Sequence, residues 1–315
     1  PEASIKDLSA GFKRAKTSWY VIDPVFYQSN SLTPDHIKQN GGEILADSRM
    51  RLINQNEIFP NQQLQYGSIQ NIPVLDLAFY PEERGMYNYD TTNTVDSVGH
   101  FVDPENRWGG IMRGLTTNDF ELANIEFIQF WVLDPFNQDA ENVDTLAFHN
   151  GGDLYFNLGN ISEDVLPDSR KSFENGLPGT GVSLNDNIDT TDWAKVSTQQ
   201  VVVNAFDNDP ESRLNQDIGL DGWNNDEEQI AFEDYVSWVN NNPSLTAITK
   251  SRMIADPSND DYNYYLDDNY DNIEADILER YKRFNGMQGN SPTTEMSDTA
   301  NANGYPTQGT NMPDI

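Results

Sequence analysis

Residues 217–228, Asp-Ile-Gly-Leu-Asp-Gly-Trp-Asn-Asn-Asp-Glu-Glu, carry the sharpest chemical signal in this sequence of 315 residues. They follow the twelve-residue calcium loop D-x-[DN]-x-[DN]-G-x5-E at Asp217, Asp221, Gly222 and Glu228, and depart from it where Gly219 replaces the third-position ligand. The spacing has a chemical reason. Carboxylates at alternate positions converge on a hard cation, Gly222 permits the tight turn, Trp223 offers its backbone carbonyl, Asn225 takes the ninth position, and Glu228 closes the shell with both oxygens. Asp217, Asp221, Trp223, Asn225 and Glu228 are therefore the candidate calcium ligands. Two features oppose this: Asn224 stands where such loops place an apolar residue, and Asp209-Pro210-Glu211-Ser212 leaves room for only a short incoming helix. The same residues also fit an Asx-rich loop in which Asp226 caps the helix that follows.

A second acidic patch runs from Asp256 to Asp261 and continues with Asp267, Asp268 and Asp271, interleaved with Tyr262, Tyr264, Tyr265 and Tyr270. Acids alternating with aromatics suit a carbohydrate or calcium site, and equally suit a packed tyrosine-rich loop. Enzymatic patterns are weak. With 51 Asp and Glu residues any carboxylate pair can be proposed for glycoside hydrolysis, so none is specific. No nucleophile elbow, phosphate loop or H-E-x-x-H is present, and Gly179-Thr-Gly181 lacks the strand and helix of a dinucleotide site. The expectation is a non-catalytic chain.

Composition narrows the partners. Acids outnumber the 19 basic residues so far that the formal charge is −32, a field that repels phosphate backbones and anionic lipid heads and attracts hard cations. There is no cysteine, which excludes disulfides and thiolate metal sites, and His36, His100 and His149 are too scattered for a zinc centre. No signal pattern or long apolar run appears. The start at Pro1 and the open end at Ile315 suggest a piece of a larger protein.

Elements must hold these residues. The stretch Asn124–Asp134, Asn-Ile-Glu-Phe-Ile-Gln-Phe-Trp-Val-Leu-Asp, reads as a strand apolar on both faces, ended by Pro135 and buried at a sheet centre. Further strands are expected around Thr17–Tyr27, Asn71–Tyr80 with a polar turn at Pro81-Glu82-Glu83-Arg84-Gly85 after it, Asp153–Leu158 with one face wet, and Ser197–Phe206, the last two separated by a Gly/Asn/Asp-rich excursion over 160–192. Strands separated by long polar loops favour an antiparallel β-sandwich over a parallel α/β sheet. Helical periodicity then appears over 227–239 and 273–284, and Thr33-Pro34-Asp35 opens a helical turn. The expected division is a mixed N-terminal segment over 1–96 packing on the sandwich, the sandwich over 97–210, an acidic loop and small helical lobe over 211–285, and an extended connector over 286–315.

Several stretches together resemble one family, the SprA/Sov proteins of the Bacteroidetes type IX secretion system, also tied to gliding motility. They include Arg14-Ala-Lys-Thr-Ser-Trp-Tyr-Val-Ile-Asp-Pro24, Leu75-Asp-Leu-Ala-Phe-Tyr-Pro-Glu-Glu-Arg-Gly85, Pro104-Glu-Asn-Arg-Trp-Gly-Gly-Ile-Met-Arg113, Asn124–Phe136, Gly152–Asp164, Gln216–Gly222 and Ile277-Leu-Glu-Arg-Tyr-Lys-Arg-Phe-Asn285. The resemblance runs through nearly the whole chain in order. It implies part of an outer-membrane translocon whose full length closes a large β-barrel for folded cargo, and a jelly-roll-like sandwich around Asn124–Asp134. The implied role is a structural or interaction module. Its implied partners are the remainder of the barrel, other secretion components and secreted cargo proteins. A calcium-dependent carbohydrate-binding module or glycan-active domain is the alternative.

Overall fold

The structure, a computed structural model, describes residues 11–27, 30–62, 71–111, 119–133, 152–158, 188–191, 194–197, 221–261 and 264–283. The expected strand over 197–206 lies outside these residues beyond Ser197, as do Asp217, most of the 160–192 excursion and the connector over 286–315. Strand β1 (Ala15–Tyr20) is buried along its whole length. The 3-10 turn Pro24–Tyr27 follows, then α1 (Asp35–Gln39), α2 (Gly41–Ala46), β2 (Ile53–Asn54), α3 (Gln55–Ile58), β3 (Asn71–Ile72) and β4 (Asp76–Arg84). Short strands β5 (Ile188–Thr190) and β6 (Lys195–Ser197) precede α4 (Asn225–Ala231), α5 (Glu233–Asn241), α6 (Ala247–Ala255), α7 (Asp268–Asn272) and α8 (Ile277–Lys282).

Among the described residues there are three two-stranded antiparallel sheets, β1 with β4, β2 with β3 and β5 with β6. The fold is mixed α/β, and the jelly-roll-like sandwich expected from the sequence is not seen among the described residues. The stretch expected at its centre is the reason. Residues 125–133 have no helix, turn or bend and sit in no described ladder, and Phe127 and Trp131 are 72% and 64% exposed. Residues 152–158, expected as a half-buried strand, behave in the same way. Two apolar faces predict a buried strand only when partners lie on both edges.

Strand β1 has such neighbours. It pairs with β4 along one side, while Ala15 donates its N–H to the Trp108 carbonyl at 2.9 Å. Close approach explains Gly109, since a Cβ there would stand 1.9 Å from Thr17 Oγ1. Strand β4 extends past Pro81, which the sequence suggests as a turn residue. The register shifts between Ala15 and Lys16, so β4 bulges where proline cannot join the ladder.

Two apolar clusters form the interior. One joins Met86, Tyr87, Val95 and Phe101 to Trp223, Phe232, Tyr235, Val239 and Met253, with Tyr89 stacked on Phe232 at 3.8 Å between centroids. The other joins Tyr20, Phe26, Ile37 and Met50 to Tyr265, Ile277 and Tyr281. In both, N-terminal residues pack directly against the C-terminal helices. Arg280 locks the second cluster. Its guanidinium is fully buried and donates to the carbonyls of Ala275 and Tyr265 and to Asp271.

Candidate metal centre

The helix that follows the acidic loop starts on an explicit cap. Asn224 Oδ1 accepts the N–H groups of Asp226 and Glu227, and the Glu227 side chain returns to the Asn224 N–H, a complete capping box. The cap is thus Asn224, two positions before the Asp226 suggested by the sequence. The periodic run over 227–239 divides at Phe232 into α4 and α5. Capping at Asn224 puts Glu228 within the first turn of α4, facing inward and fully buried.

Asp221 reaches the same interior from the turn before α4. Gly222 has φ of 67°, a left-handed conformation that suits glycine. This turn lets Asp221 Oδ1 accept the Trp223 N–H at 3.1 Å. The Asp221 carbonyl accepts the Lys195 N–H at 2.7 Å, which ties the turn to β6.

The third acid comes from the patch that the sequence sets apart. Residues 256–261 fold into a loop in which Asn259 has φ of 57° and Asp260 turns inward, only 2% exposed. Ser258 joins the two acidic segments. Its N–H donates to Glu228 Oε2 and its Oγ to Asp221 Oδ2, both at 3.0 Å. Since the Ser258 hydrogen is committed to Asp221, the Tyr89 hydroxyl at 2.8 Å is the donor to Ser258 Oγ. Tyr87 donates its hydroxyl to Asp260 Oδ2 at 2.8 Å, and its N–H to the Ser258 carbonyl at 2.9 Å.

Asp221, Glu228 and Asp260 therefore converge, with one carboxylate oxygen from each lying within 4.8 Å of the others. Two oxygens bound to one calcium ion at about 2.4 Å can stand at most about 4.8 Å apart, so the trio meets that limit. Three carboxylates buried together repel one another, and a shared cation is one way to balance them. Burial first, and then the charges of Asp221 and Glu228, push the Tyr89 hydroxyl well above the ordinary tyrosine range. It stays a neutral donor. An oxygen-only set of this kind suits a hard cation.

The remaining candidates fall differently. Trp223 contributes its N–H to Asp221, and its ring packs edge-on to Phe232 at 5.5 Å. Asn225 donates to both Asp261 oxygens, at 3.3 and 3.4 Å, on the rim of the trio. Asp217 lies outside the described residues. The sequence motif omits Asp260, Ser258, Tyr87 and Tyr89. Asp260 is detectable as part of an acidic patch, but nothing local says that this patch folds back over Glu228.

These features define a cysteine-free, acid-rich mixed α/β chain with a buried carboxylate centre, and no described helix is long and apolar enough to cross a membrane. Residues 234–315 match the SprA N-terminal family model, described as motility related/secretion protein, and this supports the SprA-type assignment reached from the sequence. No curated protein matches the chain. Asp260 lies within the matched residues, whereas Asp221 and Glu228 lie just before them.

Proposed function

We propose that this chain is a non-catalytic structural module of the type IX secretion translocon, stiffened by a calcium ion held between Asp221, Glu228 and Asp260. In this reading it helps to build the outer-membrane passage for folded cargo. Its partners are the rest of the barrel protein, other secretion components and the cargo itself. The family match supports the association with secretion and motility. The observation that carries the calcium reading is the meeting of three buried carboxylates from a turn, a helix and a distant loop.

A cation there acts as a cross-link. It ties Asp221 and Glu228 to the 256–261 loop, which Tyr87 and Asn259 already fasten to the end of β4. Such a joint suits a module that must keep its shape beside moving cargo, because ions that bind only the folded state stabilise it by mass action. The test is thermal unfolding with chelator and with millimolar calcium. Calcium raises Tm in the parent chain and has no effect on Asp221→Asn/Asp260→Asn. Equal melting of the parent under both conditions would count against the ion. A glycan array, with and without chelator, separates this module from a calcium-dependent carbohydrate binder. It stays blank under the structural reading.

A further inference from the structure

Residues 125–133 and 152–158 form an aromatic ridge that shares no residue with the carboxylate trio. In the first segment Phe127, Trp131 and Val132 are 72%, 64% and 64% exposed, and in the second Tyr155 and Phe156 are 76% and 60% exposed. The segments touch, with the rings of Phe130 and Phe156 at 4.7 Å, and Trp131 extends the surface to Phe59 at 6.1 Å. Both segments run without helix, turn or bend, and neither belongs to a described ladder. Contiguous exposed apolar surface of this kind marks an interaction site, and an extended backbone without ladder partners is a template for strand addition.

Charge decides what the ridge can take. Asp119, Glu121, Glu126 and Asp153 stand on or next to it, and residues 119–133 and 152–158 contain no Lys or Arg. A second copy of the chain would bring the same acids and a further formal charge of −32, so self-pairing is opposed. Anionic lipid is repelled for the same reason. An apolar strand carrying Lys or Arg meets aromatic side chains along its length and carboxylates at its margins.

We infer that this ridge captures an extended, apolar and net-basic segment of a partner polypeptide by strand addition. Main-chain hydrogen bonds to 125–133 supply register, Phe127, Trp131 and Phe156 supply buried area, and Glu126 and Asp153 select positive charge. The inference needs no cation at the buried carboxylates, so the two ideas can fail separately.

The test uses the whole chain and fluorescein-labelled nine-residue peptides in which Val or Ile alternates with Lys, or with Glu in the control, read by anisotropy. The Lys peptide binds at least about tenfold more tightly than the Glu peptide, a difference of about 1.4 kcal/mol. A Phe127→Ser/Trp131→Ser variant loses binding while keeping the parental Tm and its response to calcium. Retained binding by that variant would overturn the inference. So would equal binding of the Glu peptide, no binding of either peptide, or a preference of the ridge for vesicles or for a second copy in sedimentation.

Discussion

The Tyr87 hydroxyl donates to Asp260 Oδ2 at 2.8 Å across 173 positions of sequence. Tyr87 adopts φ of 55°, a left-handed conformation unusual for an aromatic residue, and its side chain is almost fully buried. The bond orients the one member of the carboxylate trio that lies far from Asp221 and Glu228 in sequence. It makes Tyr87 a positioning residue for the centre.

Tyr87→Phe keeps the ring in place and removes the donor. The expected loss is about 1 to 3 kcal/mol of folding stability in urea unfolding, because a buried carboxylate oxygen loses a partner. The calcium-induced rise in Tm shrinks as well. A variant with normal stability and a full calcium response would show that Asp260 needs no such support.

Much of the local structure is legible in the sequence. The start of α4 is legible to within two residues, its cap being Asn224 and not Asp226, and α1 opens at Thr33-Pro34-Asp35 with Pro34 itself in the cap position and no side-chain cap. Long-range pairing is not legible. The double-faced pattern of 125–133 says that the stretch seeks cover, but not that cover is missing among the described residues. Pro81 reads as a turn because a β-bulge depends on its partner strand. Asp221 and Glu228 belong to a recognisable motif, while Asp260 joins them only through the packing of Tyr87, Tyr89 and Ser258 around the 256–261 loop.

Lys16 gives a pH signature. Its amine is buried in β1, and desolvation, reinforced by Arg283, pushes its pKa down to about 8 from 10.5. The unfolded chain therefore keeps this proton to higher pH than the folded one. The destabilisation is fully present below about 8 and is relieved as pH rises towards 10.5. Lys16→Met raises Tm at pH 7, and its advantage shrinks in melts above pH 8. An advantage that does not change with pH would assign the effect to packing instead of charge.

Asp76 acts with the opposite chemistry. Burial raises its carboxyl from 3.8 to about 7 at the start of β4, opposite Tyr20. The unfolded carboxyl ionises first, so this group's favourable contribution is full below 3.8 and is lost as pH rises through about 7. Asp76→Asn flattens the decline in Tm between pH 4 and pH 7. An unchanged decline would place its origin elsewhere.

Terbium luminescence reads the carboxylate centre itself. Trp223 and Tyr89 both hydrogen-bond into the Asp221–Glu228–Asp260 network, Trp223 to Asp221 and Tyr89 to Ser258, so a lanthanide held there lies beside two sensitising rings. Saturable terbium emission is expected on excitation of the aromatic residues, displaced by calcium and lost in Asp221→Asn/Asp260→Asn with the fold retained. Emission that persists unchanged in that variant, or is absent from the parent chain, would contradict a cation at these carboxylates.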